Sequence, residues 1–280
     1  MARVYRPEEG VRFIEAGGLR FGYFEWGAGP IVLLLHGFPD TAHTWDRIGP
    51  GLAAAGFRVI APFLRGYAPS AMASRDTDAE TLGRDVLALA AAFGGDVRVV
   101  GHDWGAEAVY AAASLGAEGI ERLVAVAIPH RATVPLTPGL LWSLRHFIAF
   151  KLPGAEARFA RSDCEQVSVL WHRWSPTWSF DDADLEPVKN ALAAPDCLRS
   201  ALGYYRAASF RTPAFMRRPI SVPTLAVAGS DDPGISVAAY EHARIHFGGD
   251  YAVRAIPGGH FCHRESPQAF LDAVIPFLRR

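Results

Sequence analysis

The chain has 280 residues, half of them hydrophobic, which is enough for one large core carrying an insertion. Its 28 Lys and Arg balance 29 Asp and Glu, a formal net charge of −1, so no basic excess marks it for nucleic acid or an anionic membrane surface. Cys164, Cys197 and Cys262 are odd in number and far apart, which suits reduced thiols in a cytoplasm rather than a disulfide framework or a zinc site.

Residues 1–10 hold no apolar stretch of signal-peptide type, and the most apolar window, 31–35, is far too short to span a bilayer. No repeat period is visible. Residues 11–26 read as two strands joined by a turn at Gly17-Gly18. The runs 31–35 and 57–61 read as buried strands. Thr77-Asp78-Ala79-Glu80 then has the form of a capping box, and Leu82, Val86, Leu89, Ala90 and Phe93 share one helical face until Gly94-Gly95 ends it. Further buried strands are expected at 97–100, 123–128, 224–228 and 251–256, and a last helix from Ser266-Pro267 with Phe270, Val274, Phe277 and Leu278 inward. Continuous apolar strands alternating with helices imply an α/β fold, a mostly parallel central sheet flanked by helices.

One interval breaks the alternation. From Pro129 to about Ile220 no buried strand appears, while helical spacing carries Trp142, Trp171, Trp174, Trp178, Tyr204 and Tyr205. The expected organisation is a core of residues 1–130 and 216–280, with a helical cap (lid), residues 131–215, inserted between two core strands. Most of the cap tryptophans are expected to be its own core.

Three loops carry the chemistry. In Gly101-His102-Asp103-Trp104-Gly105 a strand turns sharply into a helix, and Gly101 and Gly105 stand where a Cβ would collide with a neighbouring element. This elbow lifts Asp103 to the carboxyl end of the sheet, at a helix N-terminus that favours negative charge. A carboxylate attacks acyl carbons poorly, but it can displace a leaving group from an sp³ carbon and form an alkyl ester. An aspartate here is also a common helix N-cap, and the segment alone leaves both readings open. His36-Gly37-Phe38-Pro39 follows an early strand, where the N–H of Phe38 would join that of Trp104 in an oxyanion hole. After the last strand, Gly258-Gly259-His260 supplies a base, with His263 expected at the surface. Of Asp231 and Asp232, Asp232 is expected to orient that base.

With these stretches the sequence resembles the epoxide hydrolase branch of the α/β-hydrolase superfamily. Leu64-Arg65-Gly66-Tyr67-Ala68-Pro69-Ser70, Leu202-Gly203-Tyr204-Tyr205-Arg206 and Phe150-Lys151-Leu152-Pro153-Gly154 match it as well. The resemblance implies that Asp103 opens an epoxide, that His260 paired with Asp232 activates water on the ester, and that two cap tyrosines hold the epoxide oxygen. Tyr205 matches one of them, and the other position falls at Ala149. Neighbours on a helix point about 100° apart, so Tyr204 and Tyr205 are not expected to face one oxygen, and His146 is a second candidate donor. His36, Pro39, His146 and Ala149 are expected around the substrate.

The expected partner is a small apolar molecule, taken by a monomer or homodimer without metal or organic cofactor. Haloalkane dehalogenases share the aspartate and a tryptophan like Trp104 but usually have asparagine where Phe38 stands. Haloacetate dehalogenases carry an aspartate-arginine pair at the elbow and further arginines for the carboxylate, whereas this elbow reads Asp103-Trp104 followed by Glu107, although His146 resembles their halide-pocket histidine. A non-catalytic ligand-binding protein on this fold is the remaining alternative, and an esterase lacks its serine.

Overall fold

In the computed structural model, which describes residues 4–7, 9–72, 76–134, 142, 144–209 and 211–280, the apolar runs form a single eight-stranded sheet. Residues 1–3 and 8 of the N-terminal segment, and residues 135–141 at the start of the cap, lie outside the described residues. The strands are β1 (Arg12–Ala16), β2 (Leu19–Trp26), β3 (Ile31–Leu35), β4 (Arg58–Pro62), β5 (Val97–His102), β6 (Ile120–Val126), β7 (Thr224–Gly229) and β8 (Tyr251–Ile256). Their spatial order is β1-β2-β4-β3-β5-β6-β7-β8. β1 and β2 pair antiparallel and β2 meets β4 antiparallel, whereas every pairing from β4 to β8 is parallel. Gly17 and Gly18 both take left-handed backbone, φ +57° and +79°, which lets β1 fold back on β2 in a tight turn.

The central strands are covered on both faces. Val32 to Leu35 are fully buried, as are Val99 and Val100. Helix α1 (Gly49–Ala54) packs on the C-terminal helix (Pro267–Leu278), and α2 (Ala79–Ala92) lies along α3 (Trp104–Leu115). Two local expectations are corrected. The N-cap of α2 is Asp78, whose carboxylate accepts the Thr81 N–H, so the capping pattern sits one residue later than Thr77 suggested. β6 starts at Ile120 and stops at Val126, because Ala127 takes φ +69° and turns the chain out of the ladder.

The insertion lies between β6 and β7, which are neighbours in the sheet. Among the described residues it carries α4 (Arg145–Lys151), α5 (Ala155–Phe159), α6 (Gln166–Trp174), α7 (Asp182–Leu192) and α8 (Cys197–Ala207), with a one-turn segment at Arg161–Cys164. Its centre is aromatic: Trp171 and Trp178 stack with centroids 4.7 Å apart, and Phe159 is buried beside Phe150. Among the described residues no helix is long and apolar enough to cross a membrane.

Candidate active site

The turn from β5 into α3 holds Asp103 at φ +51°, ψ −116°, a conformation that costs on the order of 1–3 kcal/mol and persists only where packing enforces it. The packing is visible. A Cβ on Gly101 would stand 2.2 Å from the Gly105 carbonyl oxygen, and one on Gly105 would stand 2.1 Å from that of Leu35. The Asp103 side chain makes no capping hydrogen bond to α3, which removes the helix-cap reading. Instead its Oδ1 accepts the Phe38 N–H at 2.9 Å. Trp104, the first residue of α3, has no helical carbonyl four residues behind it for its N–H to reach.

His260 stands between two carboxylates. Its Nε2 is 3.5 Å from Asp103 Oδ2 and its Nδ1 is 3.5 Å from Asp232 Oδ2. These are ion-pair distances, and Nε2 makes no hydrogen bond among the described residues. Burial works against the imidazolium, but the two carboxylates outweigh it and raise the pKa to about 9. Asp232 is fixed by the N–H groups of Gly234 and Ile235 on its Oδ1 (2.7 and 3.2 Å), leaving Oδ2 toward the histidine. Asp231 is exposed and binds the Gly258 N–H at 3.0 Å, so it stabilises the loop while Asp232 meets the base.

A cavity of about 360 Å³ opens over these groups, lined by Asp103, Trp104, Asp232 and His260 from the core and by Leu144, His146, Phe147 and Trp174 from the cap. Tyr205 is fully buried behind this lining and packs edge-on to Phe38 and Trp104, with centroids 5.2 Å from each and 5.6 Å from His146. Burial first, and then the charge of Asp103, push its phenol well above 10, so it keeps its proton. Tyr204 points elsewhere, as the helical spacing required: its hydroxyl donates to the Arg65 carbonyl at 2.8 Å.

The model of the alpha/beta hydrolase fold matches residues 30–267. The chain belongs to the α/β-hydrolase fold family. It is 28% identical to Epoxide hydrolase A of Mycobacterium tuberculosis, over 95% of this chain and 96% of that one. It is 29% identical to the AB hydrolase superfamily protein YfhM of Bacillus subtilis, over 90% and 91%. Among solved structures, Cfl2 from Burkholderia cenocepacia aligns with a TM-score of 0.82 at 28% identity, covering 98% of this chain and 99% of that one.

Several residues expected at the substrate of this α/β-hydrolase stand elsewhere. His36 is fully buried, its Nδ1–H donating to Gly37 O and its Nε2 accepting the Leu64 N–H; burial lowers its pKa to about 4, so it is a neutral brace between loops. Pro39 is buried outside the cavity lining, and its carbonyl accepts the Trp171 indole N–H at 3.0 Å. Ala149 is exposed, because the inward stripe of α4 is His146 and Phe150, one turn apart, and Ala149 is rotated off it. His263 is not at the surface. The one-turn helix Cys262–Glu265 drives it inward, where its Nε2 meets Thr44 Oγ1 at 2.7 Å and its ring lies against His102 and Trp45.

Other site residues had no motif to reveal them. Trp174 lines the cavity with its ring 5.3 Å from His260, and its carbonyl accepts the His260 N–H. Glu107, one turn after Asp103, is buried at the cavity wall with Arg131 at 2.6 Å; burial raises its pKa and Arg131 opposes that. Among the described residues no cluster of His, Cys, Asp or Glu could hold a metal ion.

Proposed function

We propose that this α/β-hydrolase opens epoxides of small apolar molecules to diols through an ester on Asp103. The observation that carries the reading is the environment of that carboxylate: free of any helix-capping duty, one oxygen on the Phe38 N–H, the other facing His260, in a cavity walled mainly by apolar cap residues. Its relatives, Epoxide hydrolase A among them, support the same chemistry.

In the first half-reaction an Asp103 oxygen attacks an epoxide carbon in line, the carbon–oxygen bond breaks, and the alkoxide takes a proton from a donor above it. His146, on the cavity wall, and Tyr205, protonated and packed behind the lining against Trp104 and His146, are the candidate donors among the described cap residues. The ester cancels the negative charge of Asp103. One of the two charges that hold His260 protonated is then gone, while the burial that favours neutral imidazole remains. Forming the ester therefore loosens the proton on His260, which passes to the donor that protonated the alkoxide and leaves His260 a neutral base. It takes a proton from water, whose oxygen bonds to the ester carbonyl carbon while the oxyanion rests on the N–H groups of Phe38 and Trp104. Collapse breaks the bond to the diol oxygen, which receives that proton from His260; the carboxylic acid left on Asp103 then gives its own proton to His260, and the restored carboxylate keeps the water oxygen.

One turnover in ¹⁸O-water with enzyme in excess, using a styrene oxide-type epoxide, is expected to place label in the peptide carrying Asp103. An unlabelled peptide alongside diol formation refutes the ester mechanism. A halide is the second reading of the leaving group: the indole N–H of Trp104 makes no hydrogen bond among the described residues and lies at the same cavity. Bromide release from 1-bromoalkanes without diol formation from epoxides would select it.

A further inference from the structure

Four residues beyond His260, Arg264 is buried where a charge is costly, and its surroundings explain why it is there. Its guanidinium spans the core–cap boundary: Nη1 donates to Asp40 Oδ2 at 3.0 Å, and Nη2 to Asp184 Oδ1, at the start of α7, also at 3.0 Å. It lies against the stacked pair Trp171 and Trp178, its central carbon 4.6 and 4.7 Å from their ring centroids. Asp40, fully buried, follows Phe38 by two residues on the oxyanion loop.

The cap segment that Arg264 grips is itself bonded to both catalytic loops. Trp171 donates to Pro39 O; Trp174 O accepts the His260 N–H at 2.9 Å; Ser175 Oγ accepts the Phe261 N–H at 2.9 Å. Thr177 donates to Glu265 Oε2, while Glu265 Oε1 holds the Gly259 N–H. The amides of His260 and Phe261 are thus satisfied by the cap, while those of Gly258 and Gly259 go to the core carboxylates Asp231 and Glu265. Asp103 differs, since β5, α3 and the elbow glycines place it.

We infer that Arg264 is a positioning residue, a clamp that sets the base loop and the oxyanion loop against each other through the cap segment 171–178. The inference rests on the ester mechanism proposed above and divides its two halves. Ester formation needs Asp103 and a proton donor. Ester hydrolysis needs the His260 ring and the Phe38 N–H in register on one carbonyl, and that register is what the clamp supplies.

Arg264→Lys keeps the charge but loses the fork and the planar group, while Asp184→Asn weakens the cap end, where Asp184 also meets Arg47. In Arg264→Lys, single-turnover ester formation is expected to stay within about threefold of the unaltered protein. Ester breakdown is expected to slow at least about tenfold, so that intact mass shows the alkyl adduct accumulating. Asp184→Asn moves the same way by less. Amide exchange at His260 and Phe261 is expected to quicken about tenfold in Arg264→Lys, with β5 unchanged. Equal loss in both half-reactions, tracking the folded fraction in a melt, overturns the inference, as does unimpaired hydrolysis. If the unaltered protein forms no adduct with any epoxide, the ester mechanism has failed instead. The clamp is then judged by exchange alone: unchanged exchange at His260 and Phe261 refutes it.

Discussion

Replacing Asp103 by asparagine tests the electrostatic centre of the site without changing its shape. His260 titrates at about 9 rather than 6.5, a net preference for imidazolium of about 3 kcal/mol. Burial opposes that preference, and two carboxylates at equal distance, 3.5 Å each, produce it. If the two act alike, each supplies at least half of the net effect, because together they must also overcome burial. Losing one then removes at least half of that preference and brings the midpoint below about 8. Two-dimensional NMR of the labelled imidazoles, followed from pH 5 to 11 in both proteins, measures it. A His260 midpoint that stays near 9 in Asp103→Asn would refute the reasoning. It would also remove the switch by which ester formation turns His260 into a base.

The same pair makes stability depend on pH. The folded pKa of His260 is above its unfolded value, so its contribution, about 3 kcal/mol, is complete below pH 6.5 and is lost as pH rises through 9. Urea midpoints at pH 6 and pH 10 should show that fall, smaller in Asp103→Asn, and a pH-independent difference between the two proteins would contradict it. Tyr205→Phe and His146→Phe are each expected to lower kcat/KM for epoxides by about a hundredfold or more; unchanged turnover in either removes that residue as a donor. Gly105→Ala puts a methyl 2.1 Å from a backbone oxygen that cannot step aside, and should cost about 3 kcal/mol or more in denaturant unfolding. A variant of ordinary stability would show that the elbow is looser than described.

The core was legible because its signals are local and redundant. Each parallel strand is a continuous apolar run bounded by turn residues, and the elbow announces itself by glycines whose missing Cβ atoms make room for Leu35 and Gly105 backbone. Asp103, Phe38, Asp232 and His260 could be found because each follows directly from the end of a strand, so placing the strand places the residue. The cap offered less. Its helices are short, and which face of α4 turns inward is decided by Trp174, Tyr205 and Phe159 meeting His146 and Phe150, contacts no spacing within the helix encodes. Register by motif therefore pointed to Ala149 where packing selected His146. His263 and Arg264 were hidden for a related reason: a one-turn helix has too few residues to display a face. Asp40 and Arg264 lie far apart in sequence, and nothing in either residue names the other.

β6 and β7 are paired neighbours, Leu123 opposite Thr224 through Val126 opposite Val227, and the whole cap departs and returns between them. Arg131 binds the Ser209 carbonyl and so joins the departing and returning segments at their base. In chain terms the cap is a detachable loop, and the sheet closes the same way whatever that loop contains. Exchange of everything between Arg131 and Ser209 would keep the elbow that carries Asp103 and the strand register, but it would replace both the cavity walls and the contacts from Trp174 and Ser175 that hold the His260 loop. A scaffold wired in this way keeps Asp103 with the sheet but shares the placing of His260 with the cap, so the residues that choose a substrate cannot drift without regard to those that hold the imidazole.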